Sequence, residues 1–164
     1  MKLYLVKIRK NKQDWVIGLD KPKVTVLGAV LFNDEILLIE RNENPFKGQW
    51  GLIGGKLENL ETLKEGILRE VKEETNLIPN FIKFNCVDHI ILNKSKKSYV
   101  GFFSTLKTNN QNFKESDEGK LCWFKLNELP KNMIEADKYL IENFLDKEIN
   151  IPEFIYDENN FKIF

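Results

Sequence analysis

The stretch GGKLENLETLKEGILREVKEETNL, residues 54–77, carries six glutamates, and its reading decides the rest of the chain. Thr62 and Glu65 form a T-x-x-E capping box, which predicts a helix start at that point. Leu63, Ile67, Leu68 and Val71 supply an apolar stripe, and Asn76 followed by Pro79 predicts where the helix ends. On such a helix Glu70, Glu73 and Glu74 fall within an arc of about 100°. Like charges at i,i+3 and i,i+4 cost about 0.3 kcal/mol each. Glu73 has Arg69 one turn back, whereas Glu70 and Glu74 have no cationic neighbour at helical spacing. Two readings follow: an acidic face screened by water, or a site for a hard cation. Carboxylates without histidine or cysteine suit Mg²⁺ or Mn²⁺ rather than zinc.

The rest of the chain narrows the class of protein. At 164 residues it fits one domain, and 42% apolar residues are enough for a core. Lys plus Arg equals Asp plus Glu at 25 each, so no net field draws the chain to a nucleic-acid polymer or a membrane. Cys86 and Cys122 form no CxxC pair, and His89 is the sole histidine, so packing or surface roles are expected for all three. Charges interrupt every apolar run in MKLYLVKIRKNKQDWVIGL, so neither a signal peptide nor a membrane span is expected, and the default compartment is the cytoplasm.

Residues 1–22 read as a hairpin, Lys2 to Arg9 and Trp15 to Leu19, around the turn KNKQD. VTVLGAVLF, residues 24–32, is apolar enough for a central strand, and EILLIER is its expected partner. Strands are expected near residues 81–92 and 97–106 and at LCWFKL. NMIEADKYLIENFL reads as a second amphipathic helix. The tail, residues 147–164, has β-like pieces but no clear period. Mixed strands with two helices point to one α/β or α+β domain over residues 1–164.

Gly55, five residues, Glu61, seven residues, then Arg69-Glu70-Val71-Lys72-Glu73-Glu74 and Leu77 resembles the Nudix box, G-x5-E-x7-R-E-U-x-E-E-x-G-U, where U is aliphatic. The one departure is Asn76 in place of the last glycine, and Asn is the next-best residue for a left-handed helix end. The preceding FKGQWGLIGG is similar to the family's lead-in, with Ile53 where a proline is common. The resemblance implies an α/β/α sandwich with a mixed sheet, over residues 23–146 or so, and cleavage of a nucleoside diphosphate linked to a further group. It implies that Glu70, Glu73 and Glu74 hold Mg²⁺ (or Mn²⁺), with the Gly54 carbonyl as a backbone ligand. It also implies that Glu61 and Arg69 orient that shell. A glutamate from a distant loop often completes such sites; Glu118 is the candidate and Glu115 the spare.

Downstream, ESDEGKLCWFKLNELP and NMIEADKY are similar to the Nudix branch that clears oxidised purine nucleoside triphosphates. By that likeness Trp123 packs on the base and Asp137 reads its edge. That branch has two adjacent aspartates where this chain has Ala136-Asp137, and a base-reading Asn where this chain has Gly51. For Trp123 a place as an ordinary strand aromatic stays open. ILLIERNENPFKGQW is similar to lead-ins of ADP-ribose and NADH-type enzymes, and within it Arg41 and Phe46 join Gly51 as substrate-binding candidates. The N-terminal hairpin is a candidate element for a homodimer like theirs. The expectation is a nucleoside triphosphate pyrophosphohydrolase that releases the monophosphate and pyrophosphate. ADP-ribose or another NDP-sugar is the alternative substrate. A nucleotide-sensing module without catalysis is a third reading, which the intact REVKEE segment argues against.

Overall fold

The computed structural model describes residues 21–93 and 95–147, together with the backbone of 153–157 and 160–163. The expected N-terminal hairpin, and with it the homodimer element, lies outside the described residues. In chain order the elements are β1 (Lys23–Phe32), β2 (Glu35–Arg41), β3 (Trp50–Gly51), β4 (Ile53–Lys56), α1 (Leu63–Thr75), β5 (Phe81–Leu92), β6 (Lys97–Lys107), β7 (Gly119–Lys125), α2 (Glu135–Phe144), β8 (Glu153–Asp157) and β9 (Asn160–Ile163). They form one mixed sheet, ordered β3-β2-β1-β6-β5-β8-β9, with β7 on β2 and β4 on β1. β1 is the hub. Its first half pairs antiparallel with β4 (Leu27 opposite Gly54) and its second half with β2, while β6 runs parallel along its other side. That central position explains why VTVLGAVLF is nearly all apolar.

The side-chain alternation of the strands builds two cores. On one face Val26, Val30, Leu37, Ile39, Ile53 and Leu106 pack against Ile67 and Val71 of α1. On the other, Ala29, Ile36, Leu38, Cys86 and Phe103 pack against Ala136, Leu140, Ile141 and Phe144 of α2. This is the expected α/β/α sandwich.

α1 begins as its sequence dictates. Thr62 accepts from the Glu65 N–H, and the Glu65 carboxylate accepts from the Thr62 N–H at 2.8 Å, a capping box worth about 1 kcal/mol. Asn76 ends it in the left-handed conformation, φ 59°. α2 starts later than the amphipathic pattern suggests. Met133 and Ile134 run in extended form beside Trp50, with the Trp50 N–H donating to the Asn132 carbonyl and the Ile134 N–H to the Trp50 carbonyl. The tail supplies β8, parallel to β5, and β9 as its hairpin partner.

Candidate active site

α1 sets its acidic face against strand β4, with Glu70 over Gly55 and Glu74 beside Gly54. Arg69 organises that face with donors spent on four partners. Its Nε donates to Glu61 Oε1 at 2.7 Å and one Nη to Glu61 Oε2 at 3.1 Å. That same Nη reaches the Lys56 carbonyl at 3.0 Å, and the other Nη reaches Glu70 at 2.9 Å and Glu73 at 3.0 Å. Glu61 also accepts from the Glu58 N–H at 3.0 Å, so its carboxylate ties the loop before α1 to the helix. These bonds, the one from Arg69 foremost, hold the Glu61 carboxyl below its ordinary range. A guanidinium fork is what allows one side chain to fix three glutamates and a backbone carbonyl. We therefore expect Arg69→Lys to weaken the Mg²⁺ dependence of turnover about 10- to 100-fold. A titration of rate against Mg²⁺ checks this, and an unchanged half-saturating concentration would remove Arg69 from the role.

The remaining charge is not balanced by the chain. Glu74 is 3% exposed, and its Oε2 has no hydrogen-bond partner among the described residues. Burial first, then the charges of Glu118 and Glu70, push its carboxyl up to about 9, against the pull of the Gly54 N–H and Arg41. Glu70 is pushed up as well, by burial and then by Glu118 and Glu73, with Arg69 opposing. Glu118, on the loop before β7, is near enough for its charge to act on both Glu70 and Glu74. Glu115 is spent instead on the Leu121 N–H at 3.3 Å. Glu73 lies further out, 61% exposed and bonded to Arg69. Among the described residues no three acidic or imidazole side chains already converge on one point. The donors are all hard oxygens, two of them buried, repelling one another and one of them orphaned. That chemistry fits a divalent cation.

The proposed substrate residues divide between the two faces of the sheet. Gly51 and Asp137 meet on the α2 face: the Leu52 N–H donates to Asp137 Oδ2 at 2.8 Å. A Cβ at Gly51 would stand 2.9 Å from that oxygen and 2.8 Å from Ile134 Cδ1. An Asn at residue 51 therefore does not fit beside Asp137 as it stands. Burial pushes Asp137 up to about 6, with the Leu52 N–H and Arg41 opposing. Phe46 and Trp50 pack on this face, and Trp50 meets Phe124 edge-on at 4.8 Å. Trp123 points the other way. It packs with the α1-side core, 6.3 Å from the Phe32 ring, and its Nε1–H donates to the Gln111 carbonyl at 3.1 Å. The two aromatic residues of the CWF segment are thus on opposite faces, and it is Phe124 that shares a face with Asp137.

Arg41 links the two regions. It ends β2 opposite Gly119, its charge lowers both Glu74 and Asp137, and its Nε is buried without a hydrogen-bond partner among the described residues. Asp88 is not among the site residues expected from the sequence. It is a buried carboxyl in the middle of β5, signalled only by a charge inside the run NCVDHIIL.

Comparison with known proteins bears on this geometry. A family model described as the NUDIX domain matches residues 21–144. The ADP-ribose pyrophosphatase of Methanocaldococcus jannaschii is 35% identical over 120 residues, covering 73% of this chain and 71% of that protein. A human 8-oxo-dGDP phosphatase is 30% identical over 104 residues, covering 59% of this chain but 30% of its own. Among solved structures, a MutT Nudix hydrolase from Burkholderia pseudomallei superposes with a TM-score of 0.70 at 27% identity, covering 75% of this chain and 98% of that one. No helix among the described residues is long and apolar enough to cross a membrane. The box on α1, the sandwich around it and a family match over most of the length lead to one conclusion: this chain belongs to the Nudix family and is a Nudix hydrolase.

Proposed function

We propose that the protein is a Mg²⁺-dependent pyrophosphohydrolase whose first substrate is ADP-ribose or a closely related NDP-sugar, cleaved to two monophosphates in the cytoplasm. The observation that carries this choice is the orientation of Trp123, which faces α1 and so cannot stack on a base beside Asp137 as the triphosphate reading requires; the aromatics on the Asp137 side are Phe46, Trp50 and Phe124. The 35% identity to a protein named ADP-ribose pyrophosphatase supports it. The triphosphate reading rests on Asp137 beside Gly51 and on the likeness to an 8-oxo-dGDP phosphatase.

Glu70, Glu74 and the Gly54 carbonyl would hold the cation, with Glu118 and Glu73 completing the set and Mn²⁺ able to substitute. Bound there, it would neutralise charge on the phosphate oxygens and polarise the attacking water. The chain's own work is separate from that. Arg41 has a buried Nε–H without an acceptor, so a phosphate oxygen arriving between Glu74 and Asp137 meets a charge-assisted donor. Glu61, through Arg69, keeps Glu70 aimed inward. The solvent-facing carboxylates, Glu118 and Glu73, are placed to take a proton from water. Phe46 and Trp50 give the cleft an apolar wall.

The test is a hydrolysis panel in Mg²⁺, with and without chelator: ADP-ribose, other NDP-sugars, NADH, normal and oxidised dNTPs. The expected result is chelator-sensitive release of AMP from ADP-ribose at a higher kcat/KM than any triphosphate. Faster turnover of an oxidised purine triphosphate would move the assignment to the second reading. Nucleotide binding with no turnover of any member would make the chain a sensor.

A further inference from the structure

Asp88 lies on the α2 face of β5, and the mechanism above does not use it. It is 0% exposed, and neither carboxylate oxygen has a hydrogen-bond partner among the described residues. Its cross-strand neighbour is Gly101, where a Cβ would collide with Asp88 Oδ1. The β5–β6 pair thus keeps open the space this carboxyl occupies. A buried carboxyl without donors is costly, and here burial, then the charge of Asp137, push it up to about 7. The Gly101 N–H offsets part of that without completing a hydrogen bond of ordinary geometry, and no cationic side chain is among the groups acting on it.

The position of Asp88 relates it to the catalytic end. Gly54 pairs with Leu27, Leu27 with Phe103 and Phe103 with Cys86, and Asp88 follows Cys86 on the same face of β5. That path crosses three strand spacings, about 14 Å, a span suited to a nucleotide lying from its phosphates to its base. Leu27, half-buried on this face, lies along it, and Asp137 is the acid that acts on Asp88 from α2.

We propose that Asp88 is a specificity-determining residue that, with Asp137, closes the base end of the substrate cleft and takes the amino group of the nucleobase. The inference rests on the nucleotide reading of the site. Asp88 and Asp137 are two buried carboxyls that disfavour each other's charge, so with one of them protonated they present a donor and several acceptors to a ligand. An adenine edge, an amino donor beside a ring-nitrogen acceptor, is the matching partner. A site built around such a hydrogen bond discriminates against a ligand that lacks it, because its own polar groups are then left unpaired.

The experiment is calorimetric binding, without metal, of AMP and of purine riboside 5′-monophosphate, which differs only in lacking the amino group. The wild-type protein is expected to bind AMP at least about ten-fold more tightly. Asp88→Ala and Asp88→Asn are expected to cut that preference about five-fold or more by weakening AMP, with the amino-free nucleotide held within about two-fold. Asp88→Asn keeps the shape and carries the test if Asp88→Ala does not fold. Equal losses for both nucleotides would make Asp88 a packing residue and overturn the proposal. An unchanged preference, or no binding of either nucleotide by the wild type, would also overturn it. Failure of the hydrolysis panel with this preference intact would sink the substrate assignment and leave Asp88 in place. ADP-ribose turnover with the preference unmoved by Asp88→Asn would do the reverse.

Discussion

Glu74→Gln should lower kcat at least about 100-fold while raising, not lowering, the stability of the metal-free protein. The first half follows from the place of Glu74: a buried carboxylate with an orphaned oxygen, near Gly54 of β4 and the Glu118 loop at once. Outer-shell partners of a metal site cost about 10- to 100-fold when lost, and a direct ligand should reach or exceed the top of that range. The second half is a linkage argument. The folded Glu74 carboxyl is raised to about 9, above its unfolded 4.5, so the folded state holds the extra proton between those values. Stability of the metal-free protein therefore falls as pH rises from about 4.5 towards 9. Glutamine has no proton to lose, so the variant should lack that part of the slope. Its advantage should grow with pH, to about 1–3 kcal/mol near neutrality, or several degrees of Tm. Thermal melts in chelator at pH 5, 7 and 8.5, run beside kcat, check both halves. Parallel melting curves for the two proteins would refute the electrostatic part, and near wild-type kcat would refute the catalytic part.

Gly54→Ala should be the most damaging glycine-to-alanine change among the described residues, costing about 3–5 kcal/mol. The residue has φ +148°, a conformation that side chains rarely adopt, and a Cβ there would collide with the Val26 carbonyl oxygen. The atoms met are all backbone of Val26 and Leu27, so no side-chain rotation relieves the clash. The register Val26–Gly55, Leu27–Gly54 would have to shift. Because the Gly54 N–H faces Glu74, activity should fall with the fold. Gly48→Ala is the control. It also has positive φ, +78°, but nothing lies within 4 Å of its added methyl, so only the backbone cost of about 1 kcal/mol remains. Urea unfolding of both variants measures the contrast, and equal midpoints would contradict this account of the loop.

The helix that carries the chemistry was legible in full from its own residues. Thr62, Glu65 and Asn76 act locally, and local hydrogen bonds make the same structure whatever the rest of the chain does. Spacing also placed the crowded glutamates on one face, and their repulsion pointed to a cation before any fold was known. Strand parity was harder. Cys122, Trp123 and Phe124 are all apolar enough to face a core, and this sheet has a core on each side. Only the pairing of Trp123 with Leu37 decides that Trp123 faces α1. The start of α2 was obscured because Asn132 and Met133 fit a helical pattern yet are captured by Trp50 through backbone bonds. Asp88 went unnoticed because its meaning depends on Gly101, thirteen residues on in sequence and opposite only after the hairpin closes. The tail strands had no readable period, since β8 is defined by pairing with β5 rather than by an alternation of its own.

The claim on which everything else depends is that the acidic face of α1 is a cation site and not a solvated surface. Mn²⁺ binding followed by electron paramagnetic resonance, for the wild type, Glu70→Gln and Glu74→Gln, measures it directly. The expected result is saturable binding by the wild type that weakens at least about ten-fold in each variant. Equal Mn²⁺ uptake by all three proteins would contradict the claim.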